Sequence, residues 1–255
     1  MAADLTGRAA IVTGASGIGA ATARRFLAEG ASVWIVDKDP ARVEGLTEQH
    51  AGLHGSTGDL RDEAVCDAVV REALDAFGRL DVLVNVAGLS GRRFGDGPTH
   101  EASAEGWDMV MDSNARSTFL MCRAALRPMV ERRGGAIVNT ASVLAYAPNS
   151  EHFATHAYAA SKGAILALTR SMASYYARFG IRVNAVAPGL IATPMSRRAQ
   201  EDPAIVSYLE RRQPLAAGPG QADDVAEAAL YFASDASRFV TGTQLEVAGG
   251  WSVSG

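Results

Sequence analysis

Runs of aliphatic and β-branched residues recur at Arg8–Thr13, Ser32–Asp37, Asp81–Asn85, Ala136–Thr140, Arg182–Val186 and Gln244–Val247. They are apolar at successive positions and do not alternate, the pattern of strands that helices cover on both faces of a parallel sheet. Leu53–Gly58 keeps the same rhythm with less apolar content. Between these runs the apolar positions take a helical period: Ile18–Glu29, Ala41–Gln49, Glu63–Phe77, a long stretch from about Ala104 to Arg132, Ala157–Phe179 and Asp223–Ala233. Gly30, Gly78, Gly134 and Gly180 each follow one of them, where a left-handed C-terminal cap favours glycine. The repeated alternation predicts a doubly wound α/β sheet of about seven strands, with helices on both faces. No linker interrupts it, so residues 1–255 read as a single domain.

Two segments break the rhythm. Gly88–Ser103 is a polar, glycine-bearing loop directly after a strand, and Leu190–Gly220 holds a short helical piece near Pro203–Arg211. Ligands of such sheets bind outside the carboxyl ends of the strands, so both are candidate substrate walls, and 190–220 reads as a lid.

Composition narrows the function classes. The chain has 255 residues, is 48% hydrophobic and 20% charged, and carries a formal charge of -4. Acids and bases are interspersed, which leaves no basic face for nucleic acid; Arg132-Arg133 and Arg197-Arg198 read as solvated pairs. Cys66 and Cys122 supply neither a disulfide framework nor a metal-ligand spacing. MAADLTGRAA lacks a charged-then-apolar signal pattern, and no apolar run approaches the ~20 residues of a membrane helix. The expected setting is cytoplasmic, without membrane, nucleic acid or metal.

The first strand runs into glycines in IVTGASGIGAA, Ile11 to Ala21. Between a strand and a helix, Gly14, Gly17 and Gly19 suit a dinucleotide fingerprint, with a pyrophosphate on the helix N-terminus; a plain packing turn is the alternative. Asp37 ends the second strand, where an acid accepts from both ribose hydroxyls and repels a 2′-phosphate. That favours NAD over NADP, although Lys38 beside it offers a phosphate a cation. Tyr158 and Lys162 stand four apart on one helix face. They are either an ordinary surface pair or a tyrosine acid/base tuned by an ammonium.

TGASGIG, Asp37, Asp59-Leu60, Asn85-Val86-Ala87-Gly88, Asn114, Ser142, Tyr158 to Lys162 and Pro188-Gly189 with Thr193 occur in order. Together they resemble the short-chain dehydrogenase/reductase family, a Rossmann-type fold, over essentially the whole chain. The resemblance implies an NAD(P)-dependent oxidoreductase that interconverts a secondary alcohol and a ketone, with NAD the cofactor that Asp37 favours. Tyr158 would exchange the substrate proton, Lys162 would lower its pKa and hold the nicotinamide ribose, and Ser142 would hydrogen-bond the substrate oxygen. Asn114 would kink its helix to hold a water linking Lys162 to solvent. Gly14, Ser16, Gly17, Ile18 and Gly19 would hold the pyrophosphate, Asp59 and Leu60 would border the adenine, and Asn85, Ala87 and Gly88 would run beneath the adenosine ribose. Pro188, Gly189, Ile191 and Thr193 would orient the carboxamide. Members commonly associate as tetramers, so a homo-oligomer is expected.

Two departures stand out. The family usually has three residues between its first two glycines, whereas only Ala15 and Ser16 separate Gly14 from Gly17. This implies a shifted set of pyrophosphate contacts. The stretch VLAYAPNSEHFATHA between Ser142 and Tyr158 is about three residues longer than the common pattern. It carries Tyr146, Asn149, Glu151, His152 and His156, and reads either as a wall of a polar pocket or as a solvated bulge. Arg92 and Arg93 can pair with a carboxylate or stay solvated. With the polar loop they favour a sugar, polyol or hydroxy acid as substrate. Trp251 reads as an apolar wall, as part of a subunit contact, or as part of a loose tail. An NADPH-dependent 3-ketoacyl reductase is the alternative that Asp37 opposes. A non-catalytic dinucleotide-sensing protein is opposed by the presence of Ser142, Tyr158 and Lys162 together.

Overall fold

The computed structural model describes residues 4–149 and 152–254; Glu151 lies outside them. Seven strands form one sheet: β1 (Ala9–Thr13), β2 (Ser32–Asp37), β3 (Leu53–Thr57), β4 (Val82–Asn85), β5 (Gly135–Thr140), β6 (Ile181–Pro188) and β7 (Gln244–Val247). All pairings are parallel, in the order β3-β2-β1-β4-β5-β6-β7. The helices are α1 (Ile18–Ala28), α2 (Pro40–Gln49), α3 (Glu63–Phe77), α4 (Ala104–Met111), α5 (Ser117–Arg132), α6 (His156–Tyr176), α7 (Arg197–Glu201), α8 (Pro203–Arg212) and α9 (Ala222–Ala233).

The strand pattern has a simple cause. Successive side chains point to opposite faces, so Val12 of β1 enters a core with Phe26, Val33, Ile35 and Leu230, while Ile11 enters the other with Val69, Leu83, Met121 and Ile137. Both faces are covered, and each position in β1 and β4 is buried. β3 lies at the sheet's edge and is partly exposed, which accounts for its lower apolar content.

Helix ends follow local chemistry. Asp39 and Asp62 cap α2 and α3 through side-chain oxygens that accept from Ala41 N and Ala64 N. Gly30, Gly78 and Gly180 take the left-handed conformation, as expected. At the end of α5 the structure differs, because Arg133 and not Gly134 occupies that conformation, with φ 56°. Its guanidinium donates to Arg178 O at 2.9 Å and lies over the Phe179 ring, tertiary contacts that hold a conformation glycine would adopt more readily. The long helix expected from Ala104 to Arg132 is two helices joined by a π-turn at Asp112–Arg116. α7 is an addition to the elements read from the sequence.

Among the described residues no helix is long and apolar enough to cross a membrane, and no cluster of three or more His, Cys, Asp or Glu is placed to hold a metal. Cys66 and Cys122 are free and buried, and burial pushes both thiols up to about 12.

At the amino edge of the sheet a buried carboxylate ties three elements. Asp81 accepts from Ala9 N at 2.9 Å, from Arg79 twice at 2.7 Å, and from Arg132 of α5 at 3.1 Å. Burial by itself would raise this carboxyl, but the arginines and the Ala9 amide outweigh it and hold it below its ordinary 3.8. Its stabilisation is therefore complete above the ordinary carboxylate range and is lost as pH falls through the folded value. Asp81→Asn is expected to cost on the order of 2–3 kcal/mol at pH 7 in urea unfolding, and the gap from the unsubstituted protein should close below about pH 4.

Candidate active site

β1 and β4 are neighbours in the sheet, while the chain after β1 goes to β2 on one side and the chain after β4 goes to β5 on the other. That reversal opens a crevice at the carboxyl ends of the strands. The glycine turn lies in it. Gly17 opens α1 at φ 51° and ψ −122°, with no side-chain cap, and packs against Thr193; a Cβ there would sit 2.9 Å from Thr193 Cγ2. A Cβ on Gly19 would sit 1.8 Å from Gly14 O, so the helix enters at a distance only glycine permits. Gly19 N closes the turn on Ser16 O at 3.1 Å, which places the N-terminus of α1 at the crevice, the end of a helix that favours an anion.

The shortened loop has a specific anchor. Ala15 N donates to Asp37 Oδ2 at 2.8 Å, and Asp37 Oδ1 accepts from Asp39 N at 3.0 Å. Arg42 comes within 4.0 Å of the same carboxylate. Asp37 thus stands at the end of β2, where the sequence places it, and also holds the glycine turn. Asp59 and Leu60 follow β3 beside it, since Gly58 N donates to Asp37 O at 3.0 Å. Arg61 grips Asp59 bidentately and holds its carboxyl below the ordinary range. Leu60 is buried.

The segment after β4 is fixed through Thr13, whose Oγ1 accepts from Val86 N and Ala87 N at 2.9 and 3.0 Å. The side chain of Asn85, in the segment expected beneath the adenosine ribose, turns into the core. Its Nδ2 donates to Asn139 Oδ1 at 2.9 Å, and Asn139 donates in turn to Thr169. Gly88 runs alongside Asn114 Oδ1 and Lys162 Nζ.

At the other end of the crevice, β6 finishes at Pro188, and Gly189 N donates to Val247 O at 3.1 Å. Ile191 pairs with Gly220, closing the 190–220 segment on itself. The buried Gln213 secures that closure: it accepts from Leu190 N at 2.6 Å and donates to Leu190 O and Gly218 O. Sequence reading missed this glutamine, since its partners are main-chain atoms and leave no pattern.

α6 brings the remaining residues together. Lys162 Nζ donates to Thr140 O at the end of β5 at 2.8 Å and lies 5.6 Å from the centre of the Tyr158 ring. Burial lowers the Lys162 ammonium to about 8. Burial also raises the Tyr158 phenol, against a lowering hydrogen bond with Ser142. The pull that opposes burial comes from Ser142. Asn114, fully buried in the π-turn, donates to Leu89 O at 3.1 Å and to Ser161 Oγ at 3.0 Å, and accepts from Leu89 N at 2.8 Å. The kink expected from the resemblance is this turn, which swings Asn114 out of helical register toward α6.

The long stretch after Ser142 is not a solvated bulge. Asn149 Nδ2 donates to Tyr208 OH at 2.8 Å, Tyr146 OH donates to Glu246 at 3.0 Å, and Arg92 Nη2 donates to His152 O at 2.6 Å. Phe153 and Tyr208 each meet Trp251 edge to face with centroids 5.8 Å apart, and they tilt against each other at 6.4 Å. Trp251 is buried within the chain and donates to Ala147 O at 3.1 Å, so it belongs neither to a loose tail nor to a subunit contact. Arg93 lies over the Phe94 ring, and His156 Nδ1 meets Thr99. A second residue missed by sequence reading is Asp96, which accepts from Ala157 N at 2.9 Å and from Tyr158 N at 3.0 Å. Its partners lie some sixty positions away, and no local motif announces them.

Known proteins share both sequence and fold. A family model described as Enoyl-(Acyl carrier protein) reductase matches residues 12–252. The chain is 38% identical to the (2S)-[(R)-hydroxy(phenyl)methyl]succinyl-CoA dehydrogenase subunit BbsD of Thauera aromatica, with 96% of this chain and 97% of that protein covered. It is 36% identical to a D-threitol dehydrogenase of Mycolicibacterium smegmatis, with 98% and 94% covered. The crystal structure of a levodione reductase superposes with a TM-score of 0.89 at 34% identity, covering 97% of this chain and 98% of that one. With the seven-stranded parallel sheet, the glycine turn at its switch point and the Ser142, Tyr158 and Lys162 cluster already in place, the chain belongs to the short-chain dehydrogenase/reductase family of oxidoreductases.

Proposed function

We propose that the chain is an NAD-dependent dehydrogenase that interconverts a secondary alcohol and a ketone on a small polar molecule. The observation that carries the reading is the convergence of Ser142, Tyr158, Lys162 and Asn114 at the carboxyl ends of β4 and β5. The residues present suit a nicotinamide dinucleotide: a close-packed glycine turn opens α1, and a carboxylate ends β2. When bound, the dinucleotide supplies the acceptor or donor of hydride, chemistry no side chain offers. Gly14, Ser16, Gly17, Ile18 and Gly19 would hold its pyrophosphate and Asp37 its adenosine ribose. Asp59 and Leu60 would border the adenine, and Pro188, Gly189, Ile191 and Thr193 the carboxamide.

Tyr158 Oη takes the proton of the alcohol in oxidation and returns it to the carbonyl oxygen in reduction, with Ser142 Oγ holding that oxygen. Burial favours the neutral phenol, the form reduction needs. Lys162 is fixed by Thr140 O beneath the ring, and Asn114, through Ser161 and Leu89, fixes the turn behind it. Asp37 supports NAD over NADP, since a 2′-phosphate would meet its charge. The relative named D-threitol dehydrogenase supports a polyol. Arg92, drawn to the substrate-side loop at His152 O, supports a polar or acidic one.

The exposed Phe119 of α5 and Tyr175 of α6 flank an apolar groove, and they support association with further copies of the chain as the expected tetramer. Phe119→Asp is expected to shift the sedimentation coefficient to that of a smaller species.

A panel of sugars, polyols, hydroxy acids and simple secondary alcohols, followed by nicotinamide absorbance, tests the activity. NAD should be preferred to NADP by about tenfold or more in kcat/KM; a preference for NADP would remove the role given to Asp37. Tyr158→Phe should lower kcat by about 10²–10⁴-fold without loss of NAD affinity, and full turnover in that variant would refute the assignment. Alcohol oxidation should gain rate as pH rises and ketone reduction should lose it, because the first needs the phenolate and the second the phenol. Gly19→Ala drives a Cβ into Gly14 O and is expected to weaken NAD binding by about tenfold or more in calorimetry.

A further inference from the structure

The first turn of α6 leaves N–H groups that the helix itself cannot satisfy. The cap residue Thr155 does not meet them, because its side chain makes no capping hydrogen bond and its Oγ1 donates back to Phe153 O. The partners come from the loop between β4 and α4. His156 N donates to Gly97 O at 3.3 Å, Ala157 N to Asp96 Oδ1 at 2.9 Å, and Tyr158 N to Asp96 Oδ2 at 3.0 Å. Thr99 N donates to His156 Nδ1 at 3.1 Å from the same loop.

Asp96 is 6% exposed, so these are charge-assisted bonds in a site water barely enters. The loop is itself held. Asp96 N donates to Gly91 O at 3.1 Å, Ser103 N donates to Gly95 O, and Ser103 caps α4. Arg92 of the loop reaches the stretch after Ser142 through His152 O. One buried carboxylate therefore joins a loop at the mouth of the site to the backbone of Tyr158.

We propose that Asp96 is a positioning residue: by clamping the first turn of α6 to the loop after β4, it sets the phenol of Tyr158 against the substrate oxygen. The inference rests on Tyr158 being the acid/base. Asp96 touches neither the reacting atoms nor the glycine turn, so its loss acts on the geometry of proton transfer and leaves cofactor binding alone. A displacement of about 1 Å at a reacting group costs up to about 10²-fold in rate.

Asp96→Asn keeps the volume and one acceptor but turns an amide N–H₂ toward the other backbone donor. Asp96→Ala removes both acceptors. The test pairs two measurements on the full-length protein. Hydrogen–deuterium exchange should show the Ala157 and Tyr158 amides protected in the unsubstituted protein and exchanging about tenfold faster or more in both variants, with Ile165–Met172 unchanged. With the alcohol of the panel above that turns over fastest, kcat should fall about tenfold or more in Asp96→Asn, while the Kd for NAD stays within about twofold.

Unchanged exchange at Tyr158 overturns the proposal, and so does a kcat loss matched by an equal loss of NAD affinity or of folded protein. Tyr158→Phe run alongside separates the two readings. If it keeps full turnover, the acid/base assignment fails. If it is inactive while Asp96→Asn retains full kcat, only the positioning role fails. If no alcohol on the panel turns over, the exchange measurement decides whether Asp96 holds the turn.

Discussion

Lys162 is an amine placed where water scarcely reaches, and the arrangement of the site depends on how its donors are met. Its Nζ is fixed on Thr140 O, the last carbonyl of β5, which pins the middle of the first half of α6 to the carboxyl edge of the sheet. One turn earlier on the same face stands Tyr158, and between them Ser161 binds Asn114. A buried polar group without partners is costly, so these contacts specify one seating for the helix and penalise a rotated or shifted one. The π-turn follows from the same constraint. A regular helix from Ala104 to Arg132 would carry Asn114 past α6, and five residues of wider turn bring its amide within reach of Ser161 and both backbone groups of Leu89.

The nucleotide end depends on a second charge with shared duties. One missing residue pulls the glycine turn tight, and Asp37 accepts from the Ala15 amide that the tightened turn presents. In the proposed function the carboxylate that discriminates between dinucleotides also shapes the loop that would hold the pyrophosphate. Changing that residue thus changes two things at once. A simple exchange of Asp37 for a neutral residue removes the support of Ala15 along with the charge.

Around the mouth of the crevice, the lengthened stretch after Ser142 closes against α8 and the C-terminal segment. Phe153, Tyr208 and Trp251 form a small core separate from the two that sandwich the sheet. Asn149, Tyr146 and Arg92 make its polar perimeter. The segment from Leu190 to Gly220 is also closed on itself by Gln213, so the substrate side is built from loops braced both within themselves and against one another. Such bracing suits a site that needs reacting groups held within fractions of an ångström.

The sequence by itself determined the sheet, because strands buried on both faces must be apolar throughout and the intervening helices must show one apolar stripe. It also determined which residue types cluster at the carboxyl edge, since Gly14 to Gly19, Asp37, Ser142, Tyr158 and Lys162 stand at fixed offsets from strand ends. Only the tertiary structure decided where Asn85 points, that Arg133 and not Gly134 ends α5, that Trp251 is buried within the chain, and what holds the backbone of Tyr158. Each turns on a partner remote in sequence: Asn139 for Asn85, Phe179 for Arg133, Ala147 for Trp251, Asp96 for the backbone of Tyr158. Periodicity and spacing report what lies within a few residues along the chain. Burial, and the hydrogen bonds that burial makes obligatory, are settled only when distant segments are brought together.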